Sequence, residues 1–361
     1  QSPHIDMAGK TFLNFSSNDY LGLANDPALK EAAVRAIEKF GVGSGSSRLI
    51  CGSIAPFHEL EESLAVFKKT QAALTFSSGY ATAVGTICAL LGKNDIIVLD
   101  KLVHACIVDA AKLSGAKIRV FAHNDLNDLE KKLKWAKEGQ SRLQSQILVV
   151  TESIFSMDGD AALLREIVEL KNRFGAWLMV DEAHATGIFG KNGRGLADEF
   201  GVSNQIEIQM GTLGKSLGSS GGYICGSRHL IDFLVNRARS LIFSTAPMPA
   251  SAAAAAAAIQ LLQSDDGNNR RQILQERISQ FQSAIGCRPS AIQSAIVPII
   301  LGDEAKTISA AAKLREQNIY VPGIRFPSVA RGAARLRVTL SAAHSADDIS
   351  QLISALNSLD E

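Results

Sequence analysis

Over most of the chain, short continuous apolar runs alternate with longer stretches whose apolar residues recur at helical spacing. The runs at 73–76, 96–99, 118–121, 147–150, 177–180, 206–210 and 222–225 read as strands. Most are unbroken rather than alternating, which suits a sheet covered on both faces. Helix candidates lie between them, at 57–69, 81–91, 105–113, 126–137 and 163–174. This order implies an α/β fold with a mostly parallel, doubly wound sheet. The alanine-rich stretch 250–262 reads as a closely packed helix, because alanine is the best helix former. The polar, turn-rich residues 264–269 mark a domain boundary. Beyond them the order becomes helix, strand, helix, strand, helix, with strands at 296–301 and 336–340 and a closing helix at 346–359. The expected organisation is an N-terminal segment (1–27) with a strand at 11–15, a large domain (28–263) and a smaller α+β domain (264–361).

The chain has 361 residues, 46% of them hydrophobic, enough to bury a large core. Its 37 basic and 36 acidic residues nearly cancel, which argues against a nucleic-acid or membrane partner. No apolar run is long enough to span a bilayer, and no signal peptide opens the sequence. The cysteines, Cys51, Cys88, Cys106, Cys225 and Cys287, are scattered and form no C-x-x-C pair. They read as buried free thiols in a reducing cytoplasm, with neither a disulfide framework nor a metal site. The first strand lies so close to Gln1 that native residues preceding it are left open.

In open α/β sheets ligands gather beyond the carboxyl ends of strands, so the residues there carry the functional reading. After 177–180 come Asp181 and, three residues on, His184. A buried acid needs a cation or donor; a protonated pyridine nitrogen would serve, and so would a structural Asp-His pair. After 206–210 comes Gly211-Thr212-Leu213-Gly214-Lys215-Ser216. A lysine among small residues can present a desolvated amine inside a cleft and form a Schiff base. A P-loop would need glycine at position 209, where this chain has Gln209. After 73–76, Ser78-Gly79-Tyr80 opens a helix and could cradle a phosphate, although many such turns bind nothing. After 96–99 comes His104, either a stacking residue or a helix cap. After 147–150, Ser156 sits in a polar turn. Gly41–Gly45 follows a helix and lacks dinucleotide-loop spacing. Near the end, Arg335 and Arg337 share a strand face; either a carboxylate clamp or salt-bridged surface arginines would fit. A phosphate turn, a stackable His, a polar Ser, an Asp-x-x-His and a Lys are together what pyridoxal 5'-phosphate (PLP) needs.

Eight segments carry a closer likeness: 14–23 (NFSSNDYLGL), 47–52 (SRLICG), 76–81 (FSSGYA), 121–125 (FAHND), 155–160 (FSMDGD), 180–187 (VDEAHATG), 190–195 (GKNGRG) and 334–340 (ARLRVTL). On these the chain resembles the α-oxoamine synthase family of fold-type I PLP enzymes, from Phe12 to about Leu359. The resemblance implies that Lys215 is the Schiff-base lysine, that His104 stacks on the ring and that Asp181 pairs with the pyridine nitrogen. It places His184 and Ser156 around O3′. Gly79, Tyr80 and Thr212 become cofactor contacts near the phosphate, and Thr245 reaches a phosphate across a dimer interface. Arg337 becomes the carboxylate-binding residue, with Asn18, His104 and Ser328 at substrate positions. The implied protein is a cytoplasmic homodimer. The implied reaction joins an amino acid to an acyl thioester with loss of CO2, first of all L-alanine with a pimeloyl thioester carried on CoA or an acyl-carrier protein. Glycine with acetyl-CoA, serine with a long acyl chain, glycine with succinyl-CoA and a PLP-binding scaffold without turnover are the alternatives. Family members often carry Asp-Asp-Ala-His-Gly where this chain has Asp181-Glu182-Ala183-His184-Ala185.

Overall fold

A computed structural model describes residues 3–138, 145–286 and 292–359. The chain forms two compact units, one of Pro27–Phe155 and Ala161–Gln263, the other of Gln1–Asp26, Ser156–Asp160 and Ser264–Glu361. It opens with the antiparallel pair β1 (His4–Met7) and β2 (Lys10–Asn14). The two-residue turn between them, Ala8 and Gly9, has positive φ at both positions, the geometry that follows strand twist.

The larger unit starts with α1 (Pro27–Phe40) and α2 (Ala55–Lys68). Then come β3 (Ala72–Phe76), α3 (Gly79–Leu90), β4 (Ile96–Asp100), α4 (Ala105–Ser114), β5 (Lys117–Phe121), α5 (Leu126–Glu138) and β6 (Ile147–Glu152). They are followed by α6 (Leu164–Phe174), β7 (Trp177–Asp181), α7 (Leu196–Glu199), β8 (Ile208–Thr212), β9 (Gly222–Gly226), α8 (Arg228–Arg237), α9 (Arg239–Ile242) and α10 (Pro249–Leu262). The seven strands form one sheet in the order β3-β9-β8-β7-β6-β4-β5. β9 runs against both its neighbours, and the other six point the same way. β3, β4, β6 and β9 are buried at every residue. This is the burial on both faces that their unbroken apolar runs require. The alanines of α10 let it lie close against α1 and α2.

β8 corrects the strand expected at 206–210. Its ladder begins at Ile208 and runs on through Gly211 and Thr212, which pair with Tyr223 and Gly222. Pairing, not apolar character, sets its end. Residues 264–269 are likewise not a turn. Ser264 caps α11 (Asp265–Ala284) by accepting the Gly267 N–H, and Asp265 and Asp266 sit in the first turn, where the helix dipole favours acids.

In the smaller unit α11 is followed by β10 (Ile296–Gly302), α12 (Glu304–Glu316), β11 (Ile319–Tyr320), β12 (Gly323–Ile324), β13 (Ala334–Thr339) and α13 (Ala346–Asn357). They make two three-stranded sheets, β1-β2-β11 and β10-β13-β12. β11 and β12 have two residues each, too short to leave a pattern in the sequence.

The thiols correct another expectation. Cys106 and Cys225 are buried, Cys88 is half-buried and Cys51 is exposed, in the turn after Ser47; all four are free. Cys287 lies outside the described residues. Among the described residues no helix is long and apolar enough to cross a membrane.

Candidate active site

Four of the parallel strands deliver expected residues at their carboxyl ends. Beyond β3, Ser78 caps α3 by accepting the Ala81 N–H at 3.0 Å. Gly79 and Tyr80 occupy the first turn, where backbone N–H groups have no acceptor inside the helix. Gly222 on β9 permits this placement, since a Cβ there would come within 2.9 Å of the Gly79 N and Cα. Tyr80 is half-exposed, and its hydroxyl donates to Asp109 Oδ2 at 3.1 Å.

Beyond β4, the buried Asp100 shapes the turn that leads to His104. Its Oδ1 accepts the Leu102 N–H at 2.8 Å and lies 3.0 Å from His123 Nδ1. His104 is the N-cap of α4, with Nδ1 accepting the Cys106 N–H at 3.2 Å. The capping role is thus real, and the ring keeps an exposed face that a planar ligand could meet. Desolvation lowers the imidazole's pKa, against the Asp181 charge, which favours the proton. The neighbouring Cys106 thiol is pushed up to about 12 by burial.

Beyond β7, Asp181 is 5% exposed. Its Oδ1 accepts the Ala183 N–H at 2.9 Å. Burial raises its pKa, and the Lys215 ammonium pulls the other way. Beyond β8, Lys215 is half-buried, and its Nζ lies 2.7 Å from His184 Nε2. A protonated lysine donates here, so the imidazole accepts through Nε2. Thr212 donates its hydroxyl to Gly221 O at 3.0 Å and accepts the Gly214 N–H at 3.2 Å, which fixes the loop carrying the lysine. Thr245 is exposed and bridges to Ser47, and beside it the Ala246 N–H donates to Ser46 O at 2.9 Å.

The smaller unit holds the remaining residues. Arg335 and Arg337 are 5% and 6% exposed, so the surface-pair alternative falls. Arg337 donates from Nε to Ser156 O at 2.7 Å, from Nη1 to Thr339 Oγ1 at 2.9 Å, and to Asn18 Oδ1 at 3.2 and 3.3 Å. Arg335 instead pairs with Asp158 at 2.6 Å. Arg337, Asn18 and Ser156 are therefore brought together. Ser328 is exposed, with its N–H donating to Arg325 O at 3.0 Å.

The donor set of the larger unit fits PLP. It offers an amine on Lys215, a buried carboxylate on Asp181, a neutral-leaning His104 and a helix N-terminus at Gly79. The sequence profile described as aminotransferase class I and II matches residues 10–356. The chain belongs to the aminotransferase class I and II family. An 8-amino-7-oxononanoate synthase from Geotalea daltonii is 46% identical over 359 residues, 99% of this chain and 90% of that one. A serine palmitoyltransferase variant from S. paucimobilis, solved with a bound PLP–myriocin aldimine, is 31% identical with a TM-score of 0.93, covering 99% of this chain and 90% of that one. An 8-amino-7-oxononanoate synthase from Francisella tularensis is 30% identical with a TM-score of 0.81, covering 96% and 97%. Within the family frame the structure adds two buried groups that the strand-end reading missed. Lys68 is ion-paired to Glu182, and His344 is enclosed in the smaller unit. Lys68 had a signal: it falls on the apolar face of α2 with Phe57, Leu60 and Leu64.

Proposed function

We propose that the protein is a PLP-dependent acyltransferase that condenses L-alanine with a pimeloyl thioester, releasing CO2 and free thiol, to give 8-amino-7-oxononanoate for biotin biosynthesis. The observation that carries the PLP reading is the grouping of Lys215, His184 and Asp181 at the ends of adjacent parallel strands. The substrate pair follows from relatives 41–46% identical over nearly the whole chain. Bound PLP supplies an electron sink that stabilises a carbanion at the amino acid's Cα. Lys215 would hold the cofactor through Nζ, and its amine would serve as the base and acid that moves the proton at Cα. Asp181 would hold a proton on the ring nitrogen, His104 would stack on the ring, and His184 and Ser156 would hold its O3′. Gly79, Tyr80, Thr212 and Thr245 hold the phosphate. Arg337 takes the substrate carboxylate through its fork of donors, with Asn18 and Ser328 as substrate contacts. Residues 28–263 act as the cofactor-binding domain and 264–361 as the small domain. The same reading makes the protein a cytoplasmic homodimer, its acyl donor carried by CoA or an acyl-carrier protein.

A second reading has one observation in its favour, the TM-score of 0.93 to serine palmitoyltransferase. Fold likeness does not select an acyl chain. Purified enzyme with PLP, offered pimeloyl-CoA and L-alanine, is expected to yield the decarboxylated adduct by mass spectrometry. Faster product from serine and palmitoyl-CoA, or from glycine and acetyl-CoA, would replace the substrate assignment. Lys215→Ala is expected to lose both covalent PLP and turnover; condensation at the wild-type rate in that variant would refute the mechanism.

A further inference from the structure

The motif at 190–195 and the buried Lys68 have no part in the reaction as derived above, and the structure joins them. Lys68 ends α2 on its buried face, with its side chain 1% exposed. Its Nζ donates to Glu182 Oε2 and to the Arg194 carbonyl. Glu182 is fully enclosed, and its Oε1 accepts the Ala197 N–H at 2.9 Å. The backbone at Gly195, with φ +123°, passes so close that a Cβ there would overlap the Glu182 carboxylate. Two bonds close the loop over the pair, Gly187 N–H to Gly193 O at 2.7 Å and Gly195 N–H to Phe189 O at 2.8 Å. Arg194 ties it to α2 by donating from Nε to Phe67 O at 2.9 Å. Lys68 and the 190–195 loop thus enclose one carboxylate.

That carboxylate is next in sequence to Asp181. The Glu182 N–H donates to Met210 O at 2.8 Å, and its carbonyl accepts from Ala185 and Thr186 at 3.0 and 2.9 Å. Its backbone therefore sets the turn that carries Asp181 on one side and His184 on the other. The Glu182 charge raises the Asp181 pKa, adding to the effect of burial. Each carboxylate has its own ammonium. Asp181 has Lys215, with His104 and Glu182 as its other charged neighbours. Glu182 has Lys68, which also feels Tyr223 and Cys225. Burial pulls the Lys68 pKa down, and Glu182 more than reverses this, holding the ammonium charged.

We propose that Lys68 is a positioning residue for the cofactor site, neutralising Glu182 so that Asp181 alone presents negative charge to the cofactor ring, and bracing the turn that carries His184. This rests on the reading of Asp181 as the partner of the ring nitrogen.

The test compares wild type, Lys68→Met and Lys68→Met/Glu182→Gln as apoproteins titrated with PLP. The readouts are visible absorption of the Schiff base, with circular dichroism as the control for folding. Lys68→Met, which strands a buried charge, is expected to lower PLP affinity by roughly tenfold or more and to change the absorption band. The double variant, with no charge to strand, is expected to return both toward wild type. A folded Lys68→Met protein with wild-type affinity and spectrum would overturn the proposal, whatever its melting temperature. So would a double variant as impaired as the single. Should the single variant not fold, the double carries the test: near wild-type PLP binding is expected, and a loss of roughly tenfold overturns it. Wild type that binds no PLP would instead sink the Asp181 reading itself.

Discussion

His344 is 3% exposed and uses both ring nitrogens. Nδ1 accepts the Ser341 N–H at 3.1 Å, so the ring's proton sits on Nε2, 3.0 Å from the Asn14 carbonyl. The ring also stacks on Phe15, centroids 4.3 Å apart. A second proton would destroy the Ser341 bond. Burial lowers the pKa, opposed by the bond to Asn14. A lowered native value means that the unfolded chain binds the proton more readily. The stabilisation is therefore complete above the ordinary imidazole value of about 6.5 and is lost as pH falls through the native one. Thermal unfolding followed from about pH 8 to about pH 5 should show a decline that His344→Gln flattens; equal slopes in both proteins would exclude His344 as the cause. The donors of Arg337 are split among Ser156, Thr339 and Asn18, which hold the guanidinium plane in one orientation. Neither arrangement was legible in the sequence, because the partners lie up to 330 positions away.

Elements owe their ends to local chemistry that can be read directly. α13 starts at a capping box: the Ser345 hydroxyl accepts the Asp348 N–H at 3.0 Å, and Asp348 Oδ2 accepts the Ser345 N–H at 2.8 Å. Ser345→Ala is expected to cost about 1 kcal/mol in chemical denaturation, whereas Ser345→Asp should cost less; equal losses would show that the cap's oxygen is not the source. Most strands of the larger unit were legible because they are short unbroken apolar runs, as burial on both faces requires of β3, β4, β6 and β9. β8 was displaced by two residues because Gly211 and Thr212 pair without being apolar. The start of α11 was hidden for a related reason. Asp, Gly and Asn are turn formers in general but fill a first helical turn well once Ser264 caps it.

At the scale of the whole molecule, three of the exposed apolar residues flank the Ser47–Thr245 bridge in sequence. Leu49, Ile50 and Phe243 are 64%, 74% and 70% exposed. Exposed apolar groups that gather in a patch mark an association surface, and the proposed homodimer would cover these three. Light scattering is expected to give twice the chain mass for wild type, and Ile50→Glu/Phe243→Glu is expected to give the monomer with weakened PLP binding. A monomeric wild type would remove Thr245 from the phosphate contacts. The sequence by itself determined the α/β class, the strand-helix order and the residues at the strand ends. These depend on short-range periodicity and on the rule that a parallel sheet presents its carboxyl edge to ligands. Tertiary structure alone decided which partner each buried charge received: Lys68 for Glu182, Asp158 for Arg335, the Ser156 carbonyl for Arg337. A buried charge must be met by whatever the fold brings within hydrogen-bond reach, and that distance in space has no counterpart in distance along the chain.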